Sequence, residues 1–179
     1  MSEEGSYSLW YTRAQGALFI LAFLAFGIGD GLTSLWMMEH RGVMGEANPI
    51  ARDIITNFGA SGFMGLKIWF TTVVLFIPFM IQQRSHKPVY WMITGYLVSF
   101  IVAGTLAIIL NIRAAMNESV FLSPEQVIFL FLSSVLVLTQ IGEEIDRRTP
   151  PKKICYLDCA VRDAISALAI ISDITSKKK

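Results

Sequence analysis

Four stretches of the chain stay apolar for longer than a soluble core requires: Ala14 to Met38, Phe63 to Ile81, Val89 to Ile112, and Pro124 to Gly142. Each is close to the roughly 17–25 residues that a helix needs to cross bilayer hydrocarbon. Lipid offers backbone N–H and C=O groups no partner, so segments of this length satisfy those groups internally, as helices and not as strands. The pattern predicts an all-α, polytopic membrane helical bundle with about four transmembrane helices. The fourth run is the weakest, because Ser133, Ser134 and Thr139 dilute it. Three spans plus a re-entrant segment is the alternative it leaves open. The first run is expected to be a permanent span and not a secretory leader, since Glu3 and Glu4 stand where a basic leader would be and no small-residue cleavage site follows.

Outside the spans, two segments have patterns of their own. Asn48 suits a helix N-cap and Pro49 the first helical position, so a short helix Pro49 to Asn57 should follow and end at Gly59. Beyond Pro150 and Pro151, the positions Ile154, Leu157, Val161, Ile165, Leu168, Ile171 or Ser172, and Ile174 recur mostly at steps of three and four, with Asp158, Arg162, Asp163 and Asp173 on other faces. That spacing predicts an amphipathic C-terminal helix, suited to the bilayer surface or to a partner subunit. Residues 1–13 form an N-terminal segment, 14–146 the bundle and 147–179 the tail.

Composition agrees with the pattern. The 179 residues are 54% hydrophobic and 16% charged, against about 25% charged in soluble domains, and the mean hydropathy is +0.54. Basic residues set the expected orientation. Arg13, Arg84, Lys87, Arg147, Arg148, Lys152, Lys153, Arg162 and Lys177 to Lys179 lie on the side of the termini, whereas the other side has Arg41, Arg52 and Arg113. Eleven against three puts both termini in the cytoplasm of a multi-pass cell-membrane protein and the loops Glu39 to Ser61 and Ala114 to Ser123 outside. A net charge of +1 gives no footprint for nucleic acid, which is not expected as a partner. Cys155 and Cys159, without nearby histidine, read as free thiols, and His40 and His86 fall on opposite sides of the membrane, so no metal and no cofactor is expected.

Charge inside the apolar runs is the feature that points to chemistry, because inserting Asp or Lys at mid-depth costs roughly 2.5–3.5 kcal/mol. Asp30 lies in the first run and Lys67 early in the second. Asn111 ends the third on the same side of the membrane, and Glu46 and Asn48 hang above on the first outer loop. Thr33 and Ser34 share the face of Asp30. Gly27 and Gly31 permit close approach of another helix, and Gly95, Ser99, Ala103, Ala107 and Asn111 form a small-residue stripe suited to tight packing, a partner subunit or a second copy of the chain. The candidate ligand- or ion-binding residues are therefore Asp30, Thr33, Glu46, Asn48, Lys67 and Asn111. The plain alternative is an ion pair that only fixes helix register.

The order Asp30-x-x-Thr33, Glu46-x-Asn48-Pro49, Lys67 and Asn111 resembles a widespread prokaryotic family of small membrane proteins known only as a domain of unknown function. The resemblance spans Gly27 to Ile112 and implies no activity, substrate or cofactor. Three functions are open: a small transporter or ion- or ligand-binding subunit, an accessory or scaffolding subunit, and an intramembrane enzyme acting on lipid or peptide, with Asp30 and Glu46 as acid and base or, together with His40, as hard-metal ligands. No HExxH, GxSxG, P-loop or GxGxxG supports the last, and no catalytic residue is assigned.

Overall fold

A computed structural model describes residues 3–46, 48–85 and 88–148, with side chains from Tyr11 onward. The predicted tail helix with Cys155 and Cys159, like His86 and Lys87, lies outside the described residues.

The first rod is built from α1 (Glu3–Ala22), a π-helical segment Phe23–Gly29 and α2 (Asp30–Arg41). A short 3₁₀ turn, Val43–Gly45, leads to α3 (Pro49–Arg84), followed by α4 (Tyr90–Ala115) and α5 (Pro124–Arg148). Among the described residues there is no strand. Within the described residues, four rods are long and apolar enough to cross a membrane: Tyr11–Arg41, Pro49–Arg84, Tyr90–Ala115 and Pro124–Arg148. The fourth is an unbroken helix of 25 residues, roughly 37 Å at about 1.5 Å per residue, so its serines and threonine do not interrupt it. Thr139 instead donates to the Val135 carbonyl at 2.6 Å and Ser134 to the Phe131 carbonyl at 2.8 Å, returning each hydroxyl to its own helix.

Local chemistry fixes the boundaries of α3. Asn48 Oδ1 accepts from the Ile50 amide at 3.0 Å and Pro49 occupies the first turn, which satisfies an end group that the helix itself cannot. At Gly59 the backbone turns to φ 68°, ψ −171°, a conformation open to glycine, and it divides α3 into the predicted short helix and the long membrane-type helix. Further along, Pro78 has no N–H to give to the Val74 carbonyl four residues earlier. Tyr96 of α4 supplies the missing donor, its hydroxyl reaching that carbonyl at 3.3 Å.

The central helix is α4. It packs most extensively on α5 and also on α1, the π segment and α2, whereas α3 leans mainly on the first rod. Ala22, Leu75, Ile93, Leu97 and Phe100 form one buried cluster, with Phe26 and Phe131 against it; the Phe26–Phe100 and Phe100–Phe131 ring centroids are each 4.9 Å apart. Close backbone approach holds α5 in place. Gly95 abuts the Leu138 carbonyl and Gly142 abuts the Trp91 carbonyl, with no room for a Cβ at either. Of the small-residue stripe, Gly95, Ser99 and Ala103 are thus covered from within the chain, since Ser99 and Ala103 are buried.

Polar ties close the end formed by the α3–α4 connection. Asp146, 2% exposed, accepts from the Trp91 amide at 3.1 Å and the Met92 amide at 3.0 Å, so a carboxylate from α5 caps the positive end of α4. Beside it, Gln15 donates to the Tyr90 carbonyl at 3.2 Å and Gln82 donates to Gln15. The outward surfaces are apolar: Trp69, Phe70, Phe76 and Ile77 on α3 and Ile128, Phe129, Leu132 and Leu136 on α5 are all exposed, as a lipid-facing bundle requires.

Candidate functional site

The π-helical segment sets the position of Asp30. Its wider turn ends with the Asp30 amide bonded to the Ala25 carbonyl, five residues back, and π turns inside α-helices are frequent at functional sites. Thr33 then donates to the Gly29 carbonyl at 2.9 Å, tying the first turn of α2 to the end of that segment. Glycines let α3 come close. A Cβ on Gly27 would stand 3.2 Å from Thr71, and one on Gly31 would stand 2.8 Å from Met64 Sδ and 3.8 Å from Lys67 Cβ.

At this crossing Lys67 Nζ donates to Asp30 Oδ2, forming an ion pair between α3 and α2. The other carboxylate oxygen, Oδ1, accepts from Asn111 Nδ2 of α4 at 3.0 Å and from Ser34 Oγ at 3.4 Å. Asn111 Nδ2 also lies 3.0 Å from Ser34 Oγ and 3.3 Å from Thr33 Oγ1. Three helices separated by up to 81 residues therefore converge on one carboxylate. The Asp30 and Lys67 side chains are 11% and 25% exposed, so the acid is sequestered while the ammonium keeps some access. Phe26 lies beneath that ammonium, its ring centroid 6.0 Å from Nζ, within cation–π range. One turn further along α3, Thr71 is fully buried and its hydroxyl has no hydrogen-bond partner among the described residues.

Of the six candidate residues, Asp30, Thr33, Lys67 and Asn111 meet directly. Glu46 and Asn48 do not join them: Glu46 Oε1 accepts from the Asn48 amide at 2.9 Å, and Asn48 is occupied in capping α3. Both instead line a cavity of about 930 Å³ at the end of the bundle, together with Met37, Arg41, Leu110 and Asn111. Asn111 is thus common to the buried carboxylate and the cavity wall. His40 stays apart as well, its Nδ1 within 2.9 Å of the Trp36 carbonyl. Among the described residues no three of His, Cys, Asp and Glu come close enough to hold a metal ion.

Sequence reasoning put Ser34 on the face of Asp30 without counting it among the candidate residues, and it missed Arg41 in the cavity wall, the π segment, and the Asp146 and Gln15–Gln82 ties. Glutamine inside an apolar run was a usable signal for the last. Residues 21–117 match a family described as Domain of unknown function (DUF5658). That stretch holds all six candidate residues and stops before α5. No curated protein and no solved structure matches the chain.

Proposed function

The chain belongs to the DUF5658 family, and from the site carried by the family region we propose that it is a small ion- or ligand-transporting membrane subunit with Asp30 as the exchangeable carboxylate. Lys67 is its counter-ion, and Asn111 is the contact through which the cavity senses the state of the pair. One observation carries this reading: the same Asn111 that bonds Asp30 Oδ1 at 3.0 Å also lines the 930 Å³ cavity. A carboxylate held between an ammonium and an amide at the edge of an accessible space is the arrangement that proton and cation relays in membranes use. In the orientation that the basic residues favour, the cavity opens outward and both termini are cytoplasmic.

The other readings have less behind them. An acid–base enzyme would need Glu46 near Asp30, and Glu46 is instead bound to Asn48 on the connection. An accessory role through the small-residue stripe meets a face where Gly95 is already packed on α5.

Proteoliposomes loaded with a pH-sensitive dye and given a potassium diffusion potential test the proposal. Proton flux through the wild-type protein is expected to fall by about tenfold or more in Asp30→Asn, equivalent to about 1.4 kcal/mol or more in the barrier. Equal flux in the two would rule out the carboxylate as the exchanging group.

A further inference from the structure

The cavity has chemistry of its own, apart from the ion pair. Its walls come from the last turn of α2, from Gly45, Glu46, Asn48 and Pro49, from the last turns of α4, from residues 120–123 and from the start of α5, so it lies at the helix ends. In a bilayer-spanning bundle that level is the headgroup region. Its volume of about 930 Å³ falls within the roughly 300–1,000 Å³ of small-molecule sites.

Opposite charges line it without meeting. Arg41 is the one cation among the described residues of the wall, and it makes no ion pair with any described residue. The nearby Arg113 is committed to Glu118 at 3.0 Å and lies over the Phe121 ring, 5.5 Å from its centroid. Two carboxylates share the wall: Glu125 is engaged by Ser123 at the start of α5, whereas Glu46 spends one oxygen on the Asn48 amide, which leaves its other oxygen as an acceptor. Phe121 and Ile128, 55% and 59% exposed, supply an apolar flank to the same cavity. A guanidinium recognises phosphate through paired N–H donors, a carboxylate recognises an ammonium, and an apolar flank takes a hydrocarbon chain.

We propose that the cavity binds a phosphate-plus-ammonium zwitterion of the phosphatidylethanolamine type, phosphate on Arg41 and ammonium on Glu46, with an acyl chain along Phe121 and Ile128. Free O-phosphoethanolamine carries the same headgroup chemistry. The site goes beyond the transport reading and does not require the Asp30–Lys67 pair to exchange protons.

Native mass spectrometry of the full chain, released from detergent holding dioleoyl phosphatidylethanolamine or dioleoyl phosphatidylglycerol, reads the preference. The wild type is expected to retain the ethanolamine lipid about tenfold better, the size expected for one charge-assisted contact. Arg41→Ala should lower retention of both lipids, whereas Glu46→Gln, which keeps the acceptor for Asn48, should make them equal. Displacement by O-phosphoethanolamine identifies the free zwitterion as a sufficient ligand, and resistance to it identifies the lipid; either supports the site. Equal retention of the two lipids by the wild type, or either variant behaving as wild type, overturns it.

Discussion

The Asp30 carboxylate is compensated from two different helices, by Lys67 of α3 and Asn111 of α4. Removing one member of such a pair strands the other charge, whereas removing both does not. Lys67→Met and Asp30→Asn are therefore each expected to destabilise the bundle by about 3–5 kcal/mol, and the double variant by less than the sum. Reversible unfolding in mixed micelles would show this as a coupling energy on the order of 1–3 kcal/mol, and strictly additive losses would mean that the pair is not formed. Asp146 makes a simpler claim. Its two bonds to the Trp91 and Met92 amides make Asp146→Ala comparable to deleting a helix cap, a loss of about 0.5–2 kcal/mol visible as a lowered melting temperature. The central charges were legible in the sequence because Asp and Lys inside hydrocarbon-length runs have few bland explanations, and because Thr33 and Ser34 follow Asp30 at helical spacing. Asp146 was not legible. It sits among Glu143, Glu144, Arg147 and Arg148 like any solvated helix end, and only the tertiary approach of α4 gives it a different role.

Among the elements, hydropathy located the helices but not their internal register. A π segment changes the hydrogen-bond step from four to five residues without changing which residues are apolar, so Phe23–Gly29 reads in sequence as ordinary helix although it determines where Asp30 points. Glu46 and Asn48 show the opposite limit. Their placement at the same end of the bundle as Asn111 followed from the topology, but the bonds from the Asn48 amide to Glu46 and from the Ile50 amide to Asn48 hold them on the cavity rim and away from Asp30, which no spacing rule anticipates. The pairing of Pro78 with Tyr96 yields a conditional prediction. Tyr96→Phe leaves the Val74 carbonyl without a donor and should cost about 1 kcal/mol in the wild type. In a Pro78→Ala background the restored helical N–H takes over, so the same substitution should cost close to nothing. An unchanged Tyr96→Phe penalty in that background would disprove the donor role. Gly95→Leu and Gly142→Val address the α4–α5 seam, where a side chain has no space; overpacking of about 1–3 kcal/mol should appear as proteolysis within α5 under conditions in which the wild type resists.

For the whole molecule, four rods crossing in alternate directions bring residues 30, 67 and 111 to one carboxylate and leave a cavity where the helices end. Hydropathy was sufficient to foresee that convergence, because lipid imposes a common depth on points far apart in the chain. The cavity itself was not foreseeable, since it depends on how the connections fold over the helix ends. The proposed function depends on water reaching Asn111 from outside the cell, and thiol labelling of intact cells tests this most directly. In a Cys155→Ser, Cys159→Ser background, Ala107→Cys places a thiol in the cavity wall, and Ile109→Cys places one on the exposed apolar face of the same helix. A membrane-impermeant maleimide added outside should label position 107 and leave position 109 unlabelled. Failure at 107, or labelling there only after the membrane is permeabilised, would contradict an outward-opening site.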